Sequence, residues 1–551
     1  MRHGGQILVD QLVINGAACA FTVPGESFLA ALDGLHDAQV KTIICRQEGG
    51  ASMMAEAWGK MTGKPGLCFV TRGPGLANAM AGLHIARQDS TPMILFLGLP
   101  AADTEDREAF QEIETKSVLG TFVKWTAVIR DIKRIPEYVS RAYHVAMSGR
   151  PGPVVLGLPE DMLSSEADVA DAKPAEIAKS APSGQAMAAL GAALANAERP
   201  LVIVGGPGWS SQTARTIEAF ADKLSVPVAS AFRYQDYIDN RHRCYVGCAG
   251  IGIDAKLGAA IKAADLLLVV GARLGEMTTS AYTLLDIPNP KQVFAHVHPS
   301  PDELGSVYRA DIPIAATAQA FAEALRGLNI APKPAWARHT ADLRAACVAA
   351  WKPLPTPGNV QLEQVMRHCS ETLPEDTIVT IGAGNYAAFL HRYFEYKHYR
   401  SGLAPTSGSM GYGLPAAIAA KLASPKQTVV NFAGDGCFMM TCQELATAMQ
   451  YDLPIVTVLI NNGMFGTIRM HQEREYPTRV IGTQLRNPDF AAFARSFGAH
   501  GETVTRTEEF APALQRALAC GTAAVIEVKT DPEAISVRQT IAQLRAAAAK
   551  G

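Results

Sequence analysis

A chain of 551 residues, 48% hydrophobic and 19% charged, has the makeup of a globular protein with large cores, and its length suits about three domains. The formal net charge is -2 with no basic run or stripe, which excludes non-specific nucleic-acid binding, and no stretch of about 18 apolar residues offers a membrane span. Ten cysteines with no zinc-type framework point to reduced thiols in a cytoplasmic protein.

The chain opens on an apolar stretch, 7–21, that Asp10, Gln11 and Asn15 interrupt, so it does not read as a secretion signal. Apolar runs at 41–45, 67–71 and 93–97 predict buried parallel strands, with helices at 49–60 and 76–87 between them. A last strand at 154–156 closes this block. The segment 164–185, rich in Ala, Ser, Asp, Lys and Pro, reads as a linker. A second block follows, with strands at 201–204, 265–271 and 293–297 and a glycine-rich turn, Gly205-Gly206-Pro207-Gly208. Prolines at 332, 334, 353, 355 and 357 mark a second connector. The third block carries strands at 378–381, 428–432, 455–460 and 524–528. The expected fold is α/β: three doubly wound parallel-sheet domains at 1–165, 186–330 and 358–535, then a partly helical tail at 536–551.

The third block holds the strongest chemical signal. Its second strand runs into Gly434-Asp435-Gly436, a helix is expected at 441–450, and the next strand ends in Asn461-Asn462-Gly463. That spacing is one crossover helix plus one strand, so Asp435 and Asn462 leave carboxyl ends of parallel strands, where open α/β sheets bind ligands. Magnesium takes oxygen ligands, commonly one or two carboxylates plus phosphate oxygens. Asp435 supplies a carboxylate and Asn462 an amide oxygen. Gly434 and Gly436 let backbone approach a phosphate, and the following helix would turn its positive end toward the anion.

GDG followed at this distance by Asn-Asn resembles the motif of thiamine-diphosphate-dependent enzymes. The resemblance implies thiamine diphosphate and Mg2+ as cofactors, with Asp435, Asn462 and the backbone carbonyl of Met464 on the metal, and Gly434, Gly436 and Cys437 beside the diphosphate. It places Gly384 and Asn385 in a diphosphate loop and makes Met410, in Ser407-Gly408-Ser409-Met410-Gly411, the apolar wedge that bends the cofactor. It also implies a glutamate from the first domain beside a ring nitrogen of the aminopyrimidine. Arg46-Gln47-Glu48 is similar to that strand-end pattern, with Gln where relatives carry His, so Glu48 is the candidate for proton exchange. The domains become pyrimidine-binding, central and diphosphate-binding, with sites shared between two chains of a homodimer or homotetramer.

The resemblance is closest to the acetolactate synthase-like branch, through Thr71-Arg72-Gly73-Pro74-Gly75, Ala109-Phe110-Gln111-Glu112, Gly149-Arg150-Pro151-Gly152-Pro153 and Gly271-Ala272-Arg273. It implies a small-molecule 2-oxo acid that loses carbon dioxide, joins a second carbonyl compound, or both. Phe110 and Gln111 would then lie near cofactor and substrate, and Lys124 would line the channel. Three positions depart from the branch. Met277 stands where an Arg holds the second 2-oxo acid, His471 where a Trp favours larger acceptors, and Arg72 where Ser is usual. Arg72 is expected to take over an anionic substrate group; Glu26 and Ser27 are further substrate candidates, and His84 and His471 candidate proton shuttles. FAD is doubtful, because the central motif is altered and no complete GxGxxG replaces it. The alternatives are a 2-hydroxyacyl- or oxalyl-CoA lyase, a benzoylformate or pyruvate decarboxylase of the same fold, and a non-catalytic partner; Glu48, Asp435 and Asn462 all being present speaks against the last.

Overall fold

The computed structural model describes residues 1–548. Three six-stranded parallel sheets follow one another along the chain. Strand β1 (Arg2–His3) lies outside them. The first sheet contains β2 (Cys19–Thr22), β3 (Lys41–Ile44), β4 (Gly66–Thr71), β5 (Met93–Leu99), β6 (Trp125–Val128) and β7 (Pro153–Pro159), in the order β3-β2-β4-β5-β7-β6. Strand β8 (Glu166–Ala167) pairs antiparallel with β1 and ties off this unit. The central sheet contains β9 (Pro200–Val204), β10 (Val228–Ala231), β11 (Tyr245–Ala249), β12 (Leu266–Val270), β13 (Val293–His298) and β14 (Ile312–Ala315), in the order β11-β10-β9-β12-β13-β14. The third contains β15 (Ile378–Ile381), β16 (Gly402–Leu403), β17 (Val429–Gly434), β18 (Val456–Asn461), β19 (His500–Val504) and β20 (Ala524–Lys529), in the order β16-β15-β17-β18-β20-β19.

The buried strands are largely the apolar runs of the sequence, since helices cover both faces, and the buried polar exceptions such as Thr380, Asn431 and Thr457 are hydrogen-bonded. β5 and β7 are buried at every residue. The sheet strands that the sequence hid include β6, β10, β11, β14, β16 and β19, each of which is at most four residues long or lies at a sheet edge. The first and third domains share one core. Ile43 and Leu95 of the first sheet fall in the same apolar cluster as Leu414 and Leu459 of the third domain, joined through packing of helix Glu48–Thr62 on helix Gly413–Ala423. Polar groups lock this seam: Tyr412 Oη donates to Glu56 Oε2 at 2.6 Å, and Thr91 Oγ1 to Glu56 Oε1 at 2.6 Å. Lys60 pairs with Asp89, which also accepts from Thr406 N at 2.9 Å.

Each sheet has a point where the connections of two neighbouring strands leave in opposite directions, and loops at that reversal are where ligands bind in open α/β folds. In the third sheet it falls between β15 and β17, which end at Gly384-Asn385 and Asp435. In the first it falls between β2 and β4, which lead into Glu26 and Arg72. The tail helix Ile541–Ala548 packs Ile541 and Leu544 with Ile535 against Met464 and Met470; residues 549–551 of the expected tail lie outside the described residues. No described helix is long and apolar enough to cross a membrane.

Candidate functional site

A cavity of about 740 Å3 opens where the third sheet's carboxyl ends face the central domain. Gly384, Asn385, Met410, Gly434, Asp435, Gly436, Cys437, Asn462, Met464 and His471 all line it, although they come from five separate segments. Met277, Arg233 and Tyr282 of the central domain form the facing wall.

Asp435 sits at the end of β17, with only 3% of its surface exposed. Its Oδ2 accepts from Gly463 N at 2.9 Å and from Asn487 Nδ2 at 2.7 Å, and its Oδ1 accepts from Gly436 N at 2.9 Å. These bonds favour the carboxylate, but burial outweighs them and pushes its pKa up. A buried carboxylate with no cation partner suits a divalent ion. Asn462 Oδ1 lies beside it in the β18 loop and accepts from Met464 N at 3.2 Å. Among the described residues no three His, Cys, Asp or Glu side chains gather as a metal site. The glycines are needed for space. A Cβ on Gly436 would stand 2.6 Å from the Phe465 ring, and Gly463 turns at φ 69°.

The helix expected at 441–450 is present at 442–450, beginning as a 3-10 turn and preceded by a separate short turn. Residues Asp435–Phe438 form one short helical turn, Cys442–Glu444 a 3-10 turn, and Leu445–Gln450 a further short helix. No long dipole therefore points at the loop, and the anion-binding capacity rests on backbone N–H groups and the cation. Cys437 packs under the loop, its Sγ accepting from Gly411 N at 3.3 Å and Tyr386 Oη at 3.4 Å. Asn385 ties segments together, donating to Ile535 O at 2.8 Å and accepting from Thr467 Oγ1 at 2.9 Å. His471, on helix Gly466–Glu475, stands half exposed at the cavity rim, 3.8 Å from Glu475.

Glu48 lies elsewhere, at the carboxyl end of β3 and outside the cavity lining. Gln47, not Glu48, caps the helix that follows, its Oε1 accepting from Gly49 N at 2.6 Å and Gly50 N at 3.2 Å. That leaves the Glu48 carboxylate free to accept from Asn78 Nδ2 at 2.9 Å. The loop is braced from the third domain: fully buried Glu444 accepts from Arg46 N at 3.1 Å, Gln47 N at 3.0 Å and Thr447 Oγ1 at 2.7 Å.

Four substrate candidates of the first domain need correction. Arg72 is 93% buried by its 7% exposure and holds φ at 43°, but its two terminal nitrogens are taken: Nη1 by Glu26 at 3.1 Å and Nη2 by Glu160 at 3.0 Å. Two carboxylates over-neutralise one guanidinium, so Arg72 is not a free anion receptor, and Glu26 serves as its partner. Phe110, 70% exposed, lays its ring 5.6 Å from the Arg72 guanidinium carbon, and Gln111 O accepts from Gly73 N at 2.9 Å. Ser27 is fully buried, with Oγ 2.7 Å from Thr71 Oγ1, and is closed to substrate. Lys124 precedes β6 at the amino edge of the sheet, away from every strand end that carries a candidate. Its ammonium caps the Val145 and Ser148 carbonyls of a helix terminus, and burial pulls its pKa down to about 8. His84 is exposed, its ring 5.9 Å from that of Phe122.

Asn487 and Glu444 had not been singled out for these roles, and neither carries a local motif. Asn487 bridges Asp435 and Asn461 across a span of dozens of residues, and Glu444 reaches a loop about 400 positions away. Only the turn Arg486-Asn487-Pro488 hinted at a placed side chain.

Comparison with known proteins agrees with this geometry. Residues 2–118 match the thiamine pyrophosphate enzyme N-terminal TPP binding domain, 187–325 the central domain and 382–528 the C-terminal TPP binding domain. The chain is 30% identical to the acetolactate synthase isozyme 2 large subunit of Escherichia coli over 94% of its length and 93% of that protein. It is 32% identical to the acetolactate synthase large subunit of Parasynechococcus marenigrum, over 95% and 87%. It is 29% identical to a probable acetolactate synthase large subunit of Methanocaldococcus jannaschii, over 96% and 92%.

Proposed function

The chain belongs to the thiamine pyrophosphate enzyme family, in its acetolactate synthase-like branch, and from that premise we propose that it condenses 2-oxo acids at a site shared by two copies of itself. The relatives are named acetolactate synthases, which favours this reading over cleavage of a coenzyme A thioester. Thiamine diphosphate, when bound, supplies the electron sink that lets a 2-oxo acid lose carbon dioxide and join a second carbonyl compound.

The protein's part is position and charge. Asp435, Asn462 and the Met464 carbonyl would hold Mg2+ against the diphosphate, and the cation would offset the burial cost of Asp435. Met410 would support the bent cofactor from below. Glu48 would share a proton with the aminopyrimidine ring nitrogen, as a general acid–base group. The observation that carries the two-chain reading is that Glu48 stands outside the cavity holding Asp435. A partner's first domain, laid over the cavity, would bring the partner's carboxylate to it. This reading gives flavin no step.

Product analysis by NMR tests the reading, with purified protein, thiamine diphosphate, Mg2+ and pyruvate, then larger 2-oxo acids. Acetolactate or a homologous hydroxy-oxo acid is expected. A protein that binds the cofactor yet consumes no 2-oxo acid overturns it.

A further inference from the structure

The wall of the cavity built by the central domain carries two arginines, and they differ. Arg273 is satisfied: its Nε lies 3.1 Å from Glu303 Oε2, and its Nη1 donates to Gln88 O at 3.2 Å. Arg233 is not. It follows β10 with a left-handed backbone, φ 71°, a strained choice for a residue with a side chain. Its Nη2 donates to Gly382 O at 3.1 Å, at the end of β15 beside the diphosphate loop. Nε and Nη1 are sealed from solvent and, among the described residues, have no hydrogen-bond partner. The Phe232 ring stands 5.0 Å from its guanidinium carbon and steadies it. Asp89, a carboxylate whose field reaches Arg233, is already bonded to Lys60 and Thr406. A guanidinium buried without an anion is costly unless something completes it.

We propose that Arg233 is the carboxylate receptor of this cavity and holds the acceptor 2-oxo acid in the condensation. This rests on the 2-oxo acid reading above. Met277, on the same wall, offers no charge, and Arg72 is already neutralised by Glu26 and Glu160. A planar fork with unpaired donors matches a carboxylate's two oxygens, and because Nε and Nη1 are closed to solvent here, the side chain must turn out of the cavity wall to present them. The acceptor is the better occupant, because its carboxylate survives into the product. Binding the donor's carboxylate tightly would stabilise the state that must lose carbon dioxide and slow that step.

The test compares wild type with Arg233→Met, which keeps bulk and removes charge, and Arg233→Lys, which keeps charge and removes the fork. Three quantities are read: the thiamine diphosphate Kd with Mg2+ present, the Kd of unreactive oxamate by calorimetry, and the ratio of condensed acid to simple decarboxylation product. In Arg233→Met the oxamate Kd should rise about 30-fold and the product ratio fall by a similar factor, with the cofactor Kd unchanged. Arg233→Lys should fall between, which separates this role from a folding defect. A raised cofactor Kd with an unchanged product ratio would assign Arg233 to the diphosphate and overturn the proposal, as would no change at all. Oxamate binding reads Arg233 even if the wild type condenses no 2-oxo acid, so the two readings fail separately.

Discussion

The first and third sheets have the same strand order, with the reversal at the same place, and yet their carboxyl edges carry opposite equipment. The third edge is a loop of glycines around one buried carboxylate, Asp435, shaped to let backbone and a cation approach a diphosphate. The first edge is built of long charged side chains, Glu26, Glu48 and Arg72, with Glu160 locking the arginine. On the proposed function, one fold would serve two tasks: holding the cofactor's anionic end, and exchanging protons with its ring. The difference lies wholly in loops that the scaffold leaves free to vary.

Breaking each edge should separate those tasks, and this is the largest effect expected. Asp435→Ala should abolish Mg2+-dependent cofactor binding and with it all turnover. Glu48→Gln should keep the cofactor bound while turnover falls about 100- to 10,000-fold, the usual worth of a general acid–base group. Fluorescence titration with thiamine diphosphate beside a product assay reads both. Mixing the two inactive variants sharpens the point. If sites pair one chain's Glu48 with another's Asp435, random dimers should regain about a quarter of wild-type activity, because half the dimers are mixed and each has one intact site. A mixture that stays dead would place both residues in one chain's site.

The edges are also coupled inside one chain. Glu444 belongs to the third domain, and its buried carboxylate holds the Arg46 and Gln47 amides just before Glu48. Glu444→Ala would strand two backbone donors, at about 1–3 kcal/mol of stability, seen as a lower midpoint in urea. Turnover should drop about tenfold or more as the Glu48 loop shifts, while Glu444→Gln, which can still accept, should recover most of it. An alanine variant with normal turnover would show that the loop is held in place without this brace.

The three-sheet architecture was legible because buried parallel strands write themselves as apolar runs, and the meeting of Asp435 and Asn462 on one cavity because each follows a strand at the spacing of one crossover. What stayed hidden was contact between distant segments. Asn487, Glu444 and Arg233 have no local pattern, since their partners lie dozens to hundreds of residues away. Arg72 was seen, but its two carboxylates were not, and that reversed its role. Lys124 was misplaced because a motif alone does not say at which end of its strand a residue lies.

The smallest effect concerns the tail, which sharpens the comparison because only the third domain has one packed over its ligand loop. Glu473 is fully buried and bonded to Arg545 of the tail helix, at 2.6 and 2.7 Å, and to Arg469. Arg545, helped by a backbone bond from Thr478 and by Arg469, holds the Glu473 pKa down to about 2. A carboxyl depressed in the folded state binds its proton more readily when unfolded. Its stabilising contribution is therefore complete above the unfolded value of about 4.3 and shrinks as pH falls toward 2. Arg545→Ala should remove part of that slope, so the midpoint difference from wild type should be largest near neutral pH and narrow below about pH 4. The cofactor Kd should rise only a few-fold, since the tail touches the site through Met464 and Met470 rather than through the cation. A midpoint difference that stayed constant from pH 7 to pH 3 would mean that the tail is held by Ile541 and Leu544 packing and not by this ion pair.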